Sequence, residues 1–197
     1  MKFDFSQPIK LENERVILRP LEQNDFTYLL PFSENEKDLW DFSLTPAAGA
    51  ENLQTYIDTA LTAKEKLKAY PFVVFDKHVH KVAGSTRFYD IQITHNVLSL
   101  GYTWYGAEFQ RTGLNRNCKY LLLSYAFDVL GVDRVEFRAD LRNVKSIQAM
   151  KQIGCTQEGI LRSNCSASYG RRDSIVLSIL KPEWDQKVKT HLQSKLY

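Results

Sequence analysis

Glu108-Phe-Gln-Arg-Thr-Gly-Leu-Asn-Arg-Asn117 joins an apolar, strand-like run to the most amphipathic helix in the chain. The first turn of a helix leaves its amide donors without intrahelical partners, and the macrodipole adds partial positive charge there. Such a junction is a natural seat for a phosphate-type anion. Gly113 lets a ligand approach the main chain, and Arg111, Arg116 and Lys119 add formal positive charge. An ordinary strand-to-helix turn with solvated arginines is the plain alternative for the stretch taken alone.

Upstream of this loop, Asn96–Tyr105 is rich in the aromatic and apolar residues that suit a sheet. Downstream, Leu114, Cys118, Leu121, Leu122, Tyr125 and Val129 fall on one helical stripe, and Gly131 stands where a helix C-terminal glycine belongs. Arg134–Asp140 alternates apolar and polar residues, so strand, helix and strand form a crossover unit. Asn143 is placed to cap a helix through Ile147, Met150 and Ile153, followed by strand-like runs at Cys155–Leu161 and Ser174–Leu180. Tyr169–Asp173 reads as the turn before the last strand. Pro182 and Trp184 open a C-terminal helix.

The earlier half reads as a strand at Arg15–Pro20, a helix near Phe26–Leu30 that Pro31 ends or bends, and a longer helix over Ala50–Leu67. Phe72–Asp76 and Val82–Tyr89 form a hairpin through Lys77–Lys81. His78 and His80 could share a face, but no third metal ligand is near, and a surface turn is the stronger reading.

The 197 residues are 44% apolar and 25% charged, ordinary for one globular domain spanning 1–197, with a core of roughly 10–185. A net charge of +3 without a basic run gives no support to a nucleic-acid partner. Cys118, Cys155 and Cys165 lack metal or disulfide spacing and read as reduced thiols. No stretch reaches the ~18 apolar residues of a membrane span and no secretory signal is evident, so a cytoplasmic protein is expected. Mixed element order indicates an α/β sheet with antiparallel early strands and a later crossover.

The loop at Gln110–Asn115, Asn143-x-x-Ser146, Gly154-Cys-x-x-Glu-Gly-x-x-Arg162 and Gly170-Arg-Arg-Asp173 occur in an order that resembles GNAT acetyltransferases, in the branch of ribosomal-protein N-terminal acetyltransferases. The resemblance implies a mixed, mostly antiparallel sheet of about seven strands, flanked by helices. It implies a splay between the Asn96–Tyr105 and Arg134–Asp140 strands that holds acetyl-CoA. Gln110, Arg111, Thr112, Gly113, Leu114, Asn115 and Arg116 then form the pyrophosphate loop. Asn115 departs from the commoner Gly or Ala, and its side chain either crowds the phosphate or adds a hydrogen bond.

The resemblance also sets Asn143 against the pantetheine arm and Ser146 near the thioester sulfur, beside their plain roles as helix cap and first-turn residue. Met150 replaces the tyrosine that donates a proton in other branches, which leaves Ser146 as donor. Ser99 stands where the family often has a glutamate, so no familiar base is in place. A water chain to Glu108 or to backbone carbonyls would serve, with amides near Thr103 and Trp104 stabilising the oxyanion. Glu158 and Arg162 read either as an ion pair or as a catalytic carboxylate with a substrate anchor.

The expected activity is direct acetyl transfer from acetyl-CoA to a primary amine, a protein N-terminus or a small molecule, without a metal and without an acyl-enzyme. The cysteines lack a local histidine to activate them. A monomer or homodimer is expected, with no membrane partner. A non-catalytic acyl-CoA sensor of the same fold is the alternative, and a nucleotide- or RNA-binding module ranks last. The acceptor pocket, expected from the N-terminal helices and the late hairpin, carries no readable code.

Overall fold

The computed structural model describes residue 1 and residues 3–196; the chain-length domain expected from the sequence thus includes two positions, 2 and 197, outside the described residues. Eight strands form one sheet: β1 (Leu11–Glu12), β2 (Val16–Pro20), β3 (Ala69–Asp76), β4 (Lys81–Gln92), β5 (Val97–Tyr105), β6 (Arg134–Asp140), β7 (Thr156–Ala167) and β8 (Gly170–Leu180). Their spatial order is β1-β2-β3-β4-β5-β6-β8-β7. The sequence reading of about seven strands missed β1, which is too short to show a period. The helices are α1 (Phe26–Asn35), α2 (Ala50–Glu65), α3 (Leu114–Ser124) and α4 (Val144–Gln152). A final helix, α5, runs through Lys181–Glu183, a π turn at Trp184–Val188 and Lys189–Gln193.

All strand pairs are antiparallel except β5 and β6, which run parallel for only three rungs, Val97–Arg134, Leu98–Val135 and Ser99–Glu136. Beyond Ser99 the two strands separate. From Leu100 onward β5 pairs only with β4, and from Phe137 onward β6 pairs only with β8. The opening starts where β5 bulges: Ser85 and Arg87 oppose Trp104 and Gly101, so β5 carries one extra residue, and Tyr102 sits at φ 50°. An extra residue bends its strand and strengthens its twist, which carries the end of β5 away from β6. The expected splay is therefore present, between the expected strands.

Successive strand residues point to opposite faces. Ser85 and Trp104 turn toward α2, where both hydroxyl and indole meet Tyr56. Thr103 and Tyr105 turn toward α3, meeting Lys119 and Asn115. Trp184 of α5 stacks on Phe127 just beyond α3, and Gly154 after α4 lies against Val188 of α5. Thus α1 and α2 cover one face, and α3, α4 and α5 the other, with one apolar core running through both layers.

Local differences from the sequence reading have physical causes. Pro31 neither ends α1 nor limits it; the helix continues to Asn35, whose side-chain amide bonds to the Pro31 carbonyl. Val129 leaves the apolar stripe and is 64% exposed, because a π turn at Tyr125–Val129 rotates the helix face and buries Ala126, Phe127 and Leu130 instead. Arg171–Asp173 belongs to β8 rather than to a turn, since Arg171 and Arg172 pair with Ser166 and Cys165; the tight turn is at Ser168 and Tyr169, before Gly170 at φ 116°. His78 lies in the β3–β4 turn and its ring meets Arg15, and His80 occupies the left-handed region in the same turn. No helix is long and apolar enough to cross a membrane, among the described residues.

Candidate functional site

The loop after β5 is fastened at both ends and open in its middle. Gly106 presses against Phe32, where a Cβ would lie 2.3 Å from the ring, and its N–H donates to the Ala83 carbonyl at 3.0 Å. Only glycine allows that approach. A single 3-10 turn at Ala107–Phe109 follows, with Phe109 buried as an anchor. At the far end, Leu114 is buried, and the Asn117 side chain bridges the Gly113 carbonyl and Asn13. Between these anchors Arg111 and Gly113 adopt left-handed conformations, at φ 62° and 88°. Among the described residues, the main-chain N–H groups of Arg111, Thr112, Gly113 and Asn115 have no protein acceptor. Consecutive free amides around left-handed residues at a helix N-terminus form a concave anion site.

Side chains complete the cradle. Arg111 and Arg116 are exposed around it, the Gln110 amide donates to the Tyr105 carbonyl, and the Thr112 hydroxyl donates to the Phe109 carbonyl. The Asn115 carboxamide turns inward, its Oδ1 accepting from the Tyr105 hydroxyl at 3.3 Å. Its packing is that of a brace between α3 and β5. Burial raises the Tyr105 phenol well above its usual range, so it acts as a neutral donor.

Lys119 differs from the sequence reading. It is 6% exposed and does not belong to the rim of the loop; its Nζ donates to Thr103 Oγ1 at 2.7 Å. Thr103 Oγ1 also lies 2.7 Å from Thr86 Oγ1. Phe137, on the opposite wall of the opening, places its ring 6.0 Å from the same ammonium. Burial lowers the lysine pKa to about 8. The signal was available: Asn115, Cys118, Lys119, Leu122 and Ala126 share helical spacing, so Lys119 lies on the inward face.

The β6 wall ends at Asp140 and leads into α4. Asn143 Oδ1 accepts from the Ser146 N–H at 3.0 Å, which is an N-cap. Both side chains are half-buried, and among the described residues Asn143 Nδ2 and the Ser146 hydroxyl have no hydrogen-bond partner. Capping therefore leaves a donor and a hydroxyl available. Met150 is buried one turn later. Asp140 was not singled out from sequence. Burial raises its pKa, but hydrogen bonds from Arg142 and Tyr169 prevail and hold it below the usual range.

Thr103 thus stands on the β5 wall with Trp104 turned to the other face, while Asn143 and Ser146 stand beyond the β6 wall. Glu108, on the turn that follows β5, is exposed and lies 3.9 Å from Lys81 at the start of β4. Glu158 pairs with Arg134 and accepts from Ser178, which holds its pKa down at about 2. Its partner is not Arg162, which is exposed. Ser99, where a glutamate was sought, faces Glu136 across the last parallel rung.

A sheet opened between two parallel strands, with an amide cradle at the mouth of one wall, defines an acetyl-CoA-dependent N-acetyltransferase. The sequence profile of the acetyltransferase (GNAT) domain matches residues 15–156, and the chain belongs to this family. A GCN5-related N-acetyltransferase from Brucella melitensis superposes with a TM-score of 0.89 at 27% identity, covering 97% of this chain and 86% of that one. The protein named probable N-acetyltransferase YjcK of Bacillus subtilis (strain 168) is 26% identical over 182 residues, 89% of this chain and 99% of that protein. The fold is shared with a ribosomal-protein-S5-alanine acetyltransferase from Vibrio fischeri, at a TM-score of 0.71 and 21% identity, over 89% of this chain and 98% of that one.

Proposed function

We propose that the protein acetylates a primary amine, on a protein N-terminus or a small molecule, by direct attack on acetyl-CoA bound in the opening. The observation that carries this reading is the set of unpartnered amides at Arg111, Thr112, Gly113 and Asn115, which fit a pyrophosphate at one end of a split sheet. Gln110, Leu114 and Arg116 shape and charge that seat. Asn143 Nδ2 is proposed to bond the pantetheine arm.

In the transfer, the amine nitrogen forms a bond to the acetyl carbon, the carbon–sulfur bond breaks, and the sulfur leaves as thiolate. Ser146 gives the thiolate a proton, directly or through water, and regains one from the proton that the nitrogen sheds as the amide forms. Main-chain amides near Thr103 and Trp104, on the edge of β5 that has lost its strand partner, stabilise the oxyanion. The amine must first lose its proton, which favours an α-amine with a pKa of about 7.7–8.0 over a lysine at about 10.4. Glu108 lies at the cradle end, beside Lys81; Glu136, at the last rung before the opening and held in place by Arg134 and Arg138, is proposed to receive that proton through water. Holding both reactants in the opening supplies orientation.

Acetyl-CoA with the purified protein and a panel of N-terminal peptides, polyamines and aminoglycosides tests this reading through free thiol release. Release that depends on a primary amine is expected. CoA binding without turnover of any amine overturns it.

A further inference from the structure

Two buried guanidinium groups lie on the face covered by α1 and α2 without an acid beside them. Arg87 of β4 is 3% exposed and Arg172 of β8 is 6% exposed. Among the described residues neither forms an ion pair. The nearby acids are taken: Glu136 by Arg134 and Arg138, Asp140 by Arg142. Arg172 at least has neutral partners, donating from Nε to Ser174 Oγ at 2.9 Å and from Nη1 to the Phe42 carbonyl at 3.4 Å.

Arg87 has less. Its Nε and Nη2 are buried with no acceptor among the described residues. The guanidinium is held only between two rings, 4.8 Å from the Tyr56 centroid and 4.0 Å from that of Tyr102. Cation–π contacts offset part of the loss of hydration, but they leave two N–H donors unmet, a costly state for a buried charge. Those two nitrogens form the side-on edge of the guanidinium, whose parallel N–H groups match the oxygens of a carboxylate.

The location favours an acceptor. Arg87 pairs with Gly101, just past the last parallel rung at Ser99, so it stands beside the mouth of the opening. Its neighbour Thr86 points to the other face, where Thr103, Lys119 and the cradle helix lie. A donor bound from the α3 side would be met across the gap by an acceptor coming from the Arg87 side. One of the two rings stacked on the guanidinium, Tyr102, is 37% exposed and sits at the bulge with φ 50°.

We infer that Arg87 reads an anion on the acceptor, and that this acceptor is an amine carrying a carboxylate, bound by the Nε–H and Nη2–H edge. Arg172 supplies a second positive charge on the same face. The inference rests on the acetyl-transfer reading and narrows its acceptor class.

The test compares matched acceptors, acid against carboxamide, in two series: free amino acids, and C-terminally amidated peptides with Asp or Asn at the second position. With wild-type protein and acetyl-CoA, kcat/KM for the acid form is expected to exceed that for the amide by about tenfold or more in one series, which also says whether the carboxylate belongs to an amino acid or a peptide. Arg87→Gln brings that ratio close to one, and Arg87→Lys, which keeps the charge but loses the fork, gives an intermediate ratio. No preference in either series, or a preference that survives Arg87→Gln in folded protein, overturns the inference. If Arg87→Gln does not fold, the wild-type ratio and Arg87→Lys decide. Absence of turnover on every amine is a failure of the transfer reading instead. Tryptophan fluorescence titrations then decide the anion site, because Trp104 bonds to the Tyr56 that stacks on Arg87. Binding of acid forms alone upholds it, and equal or no binding of both overturns it.

Discussion

Lys119 Nζ donates to Thr103 Oγ1 at 2.7 Å, tying the helix that begins in the anion cradle to the strand wall that the opening leaves without a partner. The ammonium is buried without a carboxylate, so it weakens the fold while it braces the site. Below pH about 8 the lysine is charged in both folded and unfolded protein, and the penalty is fully present. Between about 8 and its ordinary value of 10.5 the unfolded chain binds more protons, so this group's contribution makes stability rise with pH. Lys119→Met is expected to gain about 3 kcal/mol at pH 7, with the advantage over wild type fading toward pH 10. Urea denaturation of both proteins across this range checks it. The buried thiols push stability the other way in both proteins and cancel in the difference.

Gly113→Ala places a methyl at φ 88°, where L side chains are strained, although the nearest atom, on Arg116, leaves room at 3.5 Å. A loss of about 1 kcal/mol in stability is expected. Calorimetric titration should show CoA binding weakened by a larger factor than stability alone explains, since the amides on either side of Gly113 lose their aim. Unchanged CoA affinity would remove the loop from the pyrophosphate seat.

Ser146→Ala keeps the N-cap, because the Asn143 side chain bonds the main-chain N–H of this residue. Thermal stability should therefore change little, while kcat drops by about 10²-fold or more if the hydroxyl protonates the thiolate. Steady-state thiol release measures it, and wild-type turnover would strip Ser146 of that role.

Glu136→Gln and Glu108→Gln separate the two carboxylates proposed for proton removal. Glu136→Gln is expected to lower kcat/KM strongly at neutral pH. Glu108→Gln is expected to stay within about twofold of wild type, since it loses only an exposed pair with Lys81 at 3.9 Å. The reverse order of the two losses in kcat/KM returns the role to Glu108.

Cys118 and Cys155 are buried, and burial pushes the Cys118 thiol up to about 12 and that of Cys155 higher still. Only Cys165, half-buried on β7, is expected to react with a thiol reagent at pH 8 in folded protein. Three equivalents should appear after unfolding in guanidinium. Rapid labelling of Cys118 without unfolding would contradict the packing of α3 against β5.

Patterns that repeat along the chain were legible in the sequence. Alternation marked β6, helical spacing marked α2 and α3, and glycine between a strand and a helix marked the cradle, because each signal depends on residues a few positions apart. The resemblance that led to the opening likewise rests on short motifs at Asn143, Gly154 and Gly170. What only the tertiary structure decided involves residues distant in sequence whose chemistry comes from burial. Lys119, read as one of the charges around the cradle, and Arg87, which nothing in the sequence singles out, are buried. The Asn115 side chain, which the sequence leaves either crowding the phosphate or bonding to it, accepts from Tyr105, and Glu158, left as an ion pair or a catalytic carboxylate, pairs with Arg134. Sequence carries local geometry well, since backbone sterics and side-chain period act at short range. It carries poorly which charges lose their water, because that follows from how the sheet and both helical layers close around them.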